Sequence, residues 1–245
     1  MSSDSRTARV PDGHRVYAVG DIHGRLDLLD ELRQRIVEDA AGAGMRTVVY
    51  LGDYVDRGAD SRGVVARLAS QPLPGFANVH LKGNHEDFML RFLERPEIGP
   101  DWLYNGGDAT LASYAVPAPG PWAGVPAHEA ACEALLAALP ESHLAFLNGL
   151  ALSHVAGDYR FVHAGVRPGV ALEAQRPHDL MWIRREFLDH DGDFGKVVVH
   201  GHTPVKAVEV RANRIGIDTG AVYGGPLTAV VLEGVERRFL RTGSW

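Results

Sequence analysis

The sequence predicts an α/β layered fold, on three observations. Short hydrophobic runs alternate with amphipathic stretches up to residue 94, the mark of strand–helix–strand units. The later half is rich in hydrophobic runs, two pairs of which are spaced as hairpins. Five runs end directly in aspartate, asparagine or histidine, side chains that bind metals or move protons. In α/β sheets, ligands bind in the crevice beyond the carboxyl ends of the strands.

The elements follow in order. Residues 1–13 are polar and read as a loose tail, with 14–245 as one domain. RVYAVG (15–20) reads as the first strand. The stretch 26–40 carries apolar residues at 28, 29, 32, 36 and 37, a helical stripe. TVVYLG (47–52) is a second strand, and 61–70 a helix stopped by prolines at 72 and 74, with Asp60 at its N-terminus. NVHLKG (78–83) is a third strand. It leads into a helix over 85–94, with Asn84 as N-cap and Asp87 in the capping-box position. Residues 95–126 are rich in Gly, Pro and aromatics, with a short helix near 108–114. Residues 129–150 are helical with a break near Pro140, so 99–150 forms a mostly helical excursion. Strands follow at 150–157, 159–165, 196–204, 207–220, 227–233 and 236–242. The first two and the last two of these read as hairpins.

Composition sets bounds. A net charge of −6 gives no general basic field for a nucleic-acid partner. A single cysteine, Cys132, cannot close an intramolecular disulfide, which fits a reducing compartment. The N-terminal stretch lacks the apolar core of a signal peptide, and no window of about 18 apolar residues predicts a membrane span. The expectation is a cytoplasmic protein with neither a membrane nor a nucleic-acid partner.

The strand ends carry the chemistry. The first strand is followed by Asp21 and His23, the second by Asp53, Asp56 and Arg57, and the third by Asn84, His85 and Glu86. Two later strands end in His163, and in His200 and His202. Each fragment alone has a bland reading as turn, cap or satisfied strand histidine. Together they make a set of carboxylate, imidazole and amide oxygen without thiolate, which suits Mn²⁺, Fe or Zn²⁺ better than Ca²⁺. Two such cations about 3.5–4 Å apart serve phosphoryl hydrolysis, with guanidinium groups gripping phosphate and a histidine donating a proton. His200 and His202 lie two apart and share a strand face; His202 is favoured as ligand and His200 as packing.

The ordered motifs DIHG (21–24), GDYVDRG (52–58), GNHE (83–86), HAG (163–165) and GHTP (201–204) resemble the metal-dependent phosphoprotein phosphatases. These are the serine/threonine phosphatases of the calcineurin-like metallophosphoesterase superfamily, closest in look to their short bacterial and bacteriophage members. The resemblance implies a mixed β-sandwich flanked by helices, with the excursion 99–150 beside the cleft. It implies two metal ions, Mn²⁺ first, with Fe, Zn²⁺ and Mg²⁺ as alternatives. Asp21, His23 and Asp53 would hold one. Asp53 would bridge to the second, completed by Asn84, His163 and His202. His85 would be the general acid, oriented by Asp56, with Arg57, Arg184 and Asn84 facing the substrate phosphate. Arg185 is the alternative to Arg184, and Tyr223 falls where some members place an aromatic. Asp218 and Thr219 read as turn residues.

The implied activity is hydrolysis of phosphoserine or phosphothreonine monoesters by direct attack of a hydroxide held at the two-metal centre. The alternative is a symmetric diadenosine tetraphosphate hydrolase. Retention of Val-Asp-Arg-Gly in the second motif ranks the phosphatase first. Pro204, where many nucleotidases and nucleases carry a further histidine, argues against those branches. The expected partner is a phosphorylated protein or small phosphoester, and no regulatory subunit is inferred.

Overall fold

A computed structural model of the chain describes residues 7–243. Two five-stranded sheets pack face to face. The first has the order β10-β9-β1-β2-β3. Its strands β1 (His14–Val19), β2 (Met45–Tyr50) and β3 (Ala77–His80) run parallel, as strand–helix–strand connections require. The hairpin of β9 (Thr228–Glu233) and β10 (Glu236–Arg241) joins antiparallel at β1. The second sheet has the order β4-β5-β6-β8-β7. It comprises β4 (Ser153–Ala156), β5 (Tyr159–Val162), β6 (Val197–His200), β7 (Glu209–Val210) and β8 (Arg214–Gly216).

Alternation along each strand builds the layers. In β1, Val16 and Ala18 face the other sheet, while Tyr17 and Val19 face helices. In β6, Val197 and Val199 fill the space between the sheets, while Val198 packs outward with Phe187 and Leu180. The result is a helix–sheet–sheet–helix sandwich, in which each fully buried aliphatic side chain stabilises by about 1.5–3 kcal/mol.

Helix α1 (Leu26–Asp39) covers the first sheet with Leu29, Leu32 and Ile36. Helix α2 (Ser61–Ser70) starts as expected at Asp60, whose carboxylate accepts the Gly63 amide at 2.7 Å. Helix α3 (Asn84–Glu94) starts differently. Gly83 is the N-cap, Asn84 lies in the first turn, and Glu86, not Asp87, accepts the Gly83 amide at 2.9 Å. Asn84 is thereby freed from capping and turns into the cavity beside His163.

The excursion contains α4 (Gly99–Trp102), a π turn at Leu103–Gly107, α5 (Asp108–Ser113), α6 (Val125–Ala138) and α7 (Glu141–Asn148). The break near Pro140 is real. Leu139 takes ψ 119, the extended conformation a following proline imposes, and α6 and α7 bend by 105°. No single helix among the described residues is long and apolar enough to cross a membrane.

Three readings need correction. The expected strand 207–220 is two short strands turning at 211–213, with the Arg211 amide bonded to the Arg214 carbonyl. The helices α8 (Pro177–Trp182) and α9 (Arg185–Leu188), too short to show a periodic stripe, were not expected. The first six residues of the expected tail lie outside the described residues, but the rest of it is docked. Val10 is fully buried and its amide bonds the Gly234 carbonyl at 3.0 Å, while Arg9 and Asp158 exchange backbone and side-chain bonds. One apolar side chain every second residue sufficed to seat this segment, too little signal to read.

Candidate active site

The motif residues converge at the carboxyl ends of β1, β2, β5 and β6 and the N-terminus of α3. Their backbones are unusual. Of six described non-glycine residues with positive φ, five belong here: His23 (45°), Asp53 (52°), Asp56 (72°), Arg57 (68°) and His202 (64°). Each such conformation costs on the order of 1–3 kcal/mol and persists only where the surroundings enforce it.

Asp53 is central. Its Oδ2 lies 3.5 Å from His23 Nε2 and 3.9 Å from His85 Nε2, and its Oδ1 lies 3.4 Å from His163 Nε2. Two groups of ligand atoms, each within 4.8 Å of one another, therefore share it: His23, Asp53 and His85, and Asp53, His163 and His202. The imidazoles are aimed from behind. His23 Nδ1 sits 2.8 Å from the Val55 carbonyl and His163 Nδ1 3.0 Å from that of Leu51, so each ring donates there and turns an unprotonated, electron-pair-bearing Nε2 to the cavity. His163 Nε2 then stands 3.0 Å from Asn84 Oδ1, two electron-pair donors turned toward one point. His202 Nε2 is buried without a hydrogen-bond partner. These are the requirements of a cation site, and the N and O donors fit a pair of divalent transition metals. Cys132 is elsewhere, its sulfur against the Phe92 and Leu93 carbonyls.

Asp21 is buried in the same cavity, but both its oxygens accept the His202 amide, at 3.1 and 3.0 Å. The approach is so close that a Cβ on Gly201 would lie 2.0 Å from Asp21 Oδ1, so only glycine fits. In the tight grouping around His23 and Asp53, His85 stands where Asp21 was expected.

The electrostatics separate the histidines. Burial drives His23 down to about 3, His202 to about 2, and His163 below its ordinary value, which keeps them neutral as ligands must be. His85 goes the other way. Burial lowers it, but Asp53 and the hydrogen bond and charge of Asp56 outweigh burial and raise it. Asp56 Oδ2 lies 2.7 Å from His85 Nδ1. Like groups are thus pushed apart by their environments. Burial, then Asp218 and Asp53, push Asp21 well above the carboxylate range. Burial would also raise Asp53, but His163, His85, His23 and His202 hold it well below that range.

Arg57 Nη1 is 2.7 Å from His23 Nε2, and its guanidinium lies 5.9 Å from the ring of the exposed Tyr223. Arg184 Nη1 reaches Thr203 Oγ1 at 3.3 Å, and its charge lowers His163 and His202. Arg185 opens α9 and is exposed. His200 packs edge-on against Phe187 at 5.0 Å and joins neither ligand group.

Three features escaped the sequence reading. Glu86 is fully buried and accepts four backbone amides: Gly83 and Asp53 at 2.9 Å, Tyr54 at 2.7 Å and Val55 at 3.2 Å. It ties the Asp53 loop to the start of α3, and its place at the third position of that helix was the available signal. Asp218 is buried, with its pKa raised to about 6 by burial and, beyond the opposing Gly220 amide bond, by Asp53. It follows β8 just as the other acids follow their strands. Trp102 and Thr110 both bond Asp56, and nothing local announces them.

A helix-flanked double sheet with two adjoining N/O ligand groups at its strand ends is the architecture of a metal-dependent phosphoesterase. The family model for calcineurin-like phosphoesterase matches residues 14–226, and the chain belongs to that family, whose members use a dinuclear metal centre. It is 30% identical over 220 residues to serine/threonine-protein phosphatase 1 of Salmonella typhimurium, covering 87% of this chain and 89% of that protein. It is 24% identical over 235 residues to an asymmetrical bis(5'-nucleosyl)-tetraphosphatase, PrpE, of Bacillus cereus, covering 86% and 88%. A crystal structure described as a candidate diadenosine tetraphosphatase superposes with a TM-score of 0.64 at 23% identity, covering 98% of this chain and 96% of that one. The protein is a phosphoesterase.

Proposed function

We propose that the protein is a phosphomonoesterase of the protein-phosphatase type, acting on phosphoserine and phosphothreonine. One observation carries this: the buried His85–Asp56 pair at 2.7 Å, with His85 Nε2 turned to the ligand groups. An alkoxide leaves poorly and needs a proton, which His85 is placed to give. A nucleotide leaving from a phosphoanhydride is a weak base and needs none. The Salmonella relative supports the same reading.

The roles follow. Asp21, buried in the same cavity, would hold one cation with His23 and Asp53, and Asp53, Asn84, His163 and His202 would hold the other, which leaves His85 to the proton. The metal pair, with Mn²⁺ first among the candidates, would supply Lewis-acid activation of a water and offset charge on the phosphoryl oxygens. Arg57 and Arg184 grip the phosphate beside Asn84, and Asp56 keeps the His85 proton on Nε2. The substrate is a phosphorylated protein or small phosphoester, and the setting is the cytoplasm, in keeping with one buried free cysteine.

A second reading, dinucleoside polyphosphate hydrolysis, has its own support. The Bacillus relatives are described as asymmetrical hydrolases, where the sequence led to the symmetric type. Tyr223, 65% exposed beside Arg57, is free to stack on a base. Phosphopeptides and diadenosine tetraphosphate assayed at matched Mn²⁺ separate the two. The proposal expects phosphopeptide turnover at least about tenfold faster per kcat/KM, a gap of about 1.4 kcal/mol; the reverse order overturns it.

A further inference from the structure

We infer that Trp102 and Thr110, on the helical excursion, are positioning residues for proton donation, acting through Asp56 on His85; this rests on the reading of His85 as the acid. The carboxylate of Asp56 is fully buried and each oxygen has its own donors. His85 Nδ1 donates to Oδ2 at 2.7 Å. Thr110 Oγ1 donates to Oδ1 at 2.7 Å. Trp102 Nε1 donates across both, at 3.0 Å to Oδ2 and 3.2 Å to Oδ1. The Asp56 amide is held as well, by Thr110 Oγ1 at 2.9 Å and Ser61 Oγ at 3.0 Å.

A carboxylate with a single donor turns about its Cβ–Cγ bond. With Trp102 and Thr110 in place the plane of the Asp56 carboxylate is fixed, and so are the direction offered to His85 Nδ1 and the aim of Nε2. Removing either donor also leaves a buried charge short of a partner. Trp102 is itself wedged: fully buried, 4.7 Å from the Phe92 ring, and flush on Gly107, where a Cβ would lie 2.5 Å from the indole. The next residue back, Gly106, takes φ 99, which side chains avoid, and its carbonyl accepts the Arg57 amide at 3.0 Å. One turn of the excursion thus holds both the orienting carboxylate and the phosphate-facing arginine.

The test uses the full-length, Mn²⁺-loaded enzyme and the variants Trp102→Phe, Thr110→Val and Thr110→Ser. The readout is the ratio of kcat on a phosphoserine peptide to kcat on p-nitrophenyl phosphate, whose leaving group needs no proton. The inference expects this ratio to fall about tenfold in Trp102→Phe and Thr110→Val, toward that of His85→Asn, with metal content and KM held. Thr110→Ser restores the ratio to within about twofold of the parent, because the hydroxyl donor returns. Equal slowing of both substrates, or an unchanged ratio, overturns the inference. If His85→Asn loses the ratio while the other variants keep it, only the positioning role falls. If His85→Asn keeps it, the reading of His85 falls and the inference with it. Should Trp102→Phe fail to fold, the Thr110 pair decides.

Discussion

Glu86 offers a sharp test of how the site is assembled. Its carboxylate accepts four backbone amides, two on each oxygen, from three successive residues of the Asp53 loop and from Gly83 at the start of α3. Glu86→Gln keeps the shape but replaces one oxygen with an amide that donates. Two backbone donors then face a donor, so two bonds are lost. Burial and then Asp53 raise Glu86 to about 7, so above that pH the acceptor is charged; hydrogen bonds to a charged acceptor contribute about 1.5–3 kcal/mol each, which gives a loss of about 3–6 kcal/mol there. For a chain of this length, about 2–4 °C of Tm accompanies each kcal/mol, so the midpoint should fall by about 6–24 °C. Thermal unfolding followed by circular dichroism, with and without Mn²⁺, measures it. A midpoint within about 2 °C of the parent would refute the account of Glu86 as the tie between the two loops.

Two further outcomes are expected. Arg184→Ala should raise KM for phosphomonoesters by at least about tenfold, and Arg185→Ala by less than about twofold, because the Arg184 guanidinium bonds Thr203 and its charge bears on His163 and His202; steady-state kinetics on both variants decides, and the opposite order would exchange their roles. His80, stacked on Tyr50 at 5.1 Å, is lowered to about 4 by burial and then by Arg33. A folded pKa below the unfolded value near 6.5 gives stability that is present above that pH and lost as pH falls through about 4. His80→Phe should therefore flatten the fall in Tm between those two values, and an unchanged pH slope would remove His80 as its source.

The legible parts were those written in local pattern. The parallel strands β1 to β3, their three helices and both hairpins were readable because period and turn chemistry are local. So was the crowding of Asp, Asn and His at strand ends, since strands deliver their C-termini to one edge. What was hidden depends on distant pairings. Trp102 and Thr110 reach Asp56 from 46 and 54 residues away. Glu86 was visible as a motif letter, yet its four amide partners exist only once the Asp53 loop folds over α3. The Asn84 cap was misread for a related reason: cap propensity lost to the demand for its amide oxygen beside His163. The strand over 207–220 failed because a polar break at 211–213 inside a hydrophobic alternation does not show that the chain reverses.

The central claim is that one buried carboxylate, Asp53, is shared by two cations. Metal analysis of Mn²⁺-saturated protein by mass spectrometry tests it most directly, across the parent, Asp53→Asn and His85→Asn. The account predicts two equivalents per chain in the parent, two in His85→Asn, and at most one in Asp53→Asn. A parent that saturates at a single equivalent, or an Asp53→Asn protein that keeps both, would contradict it.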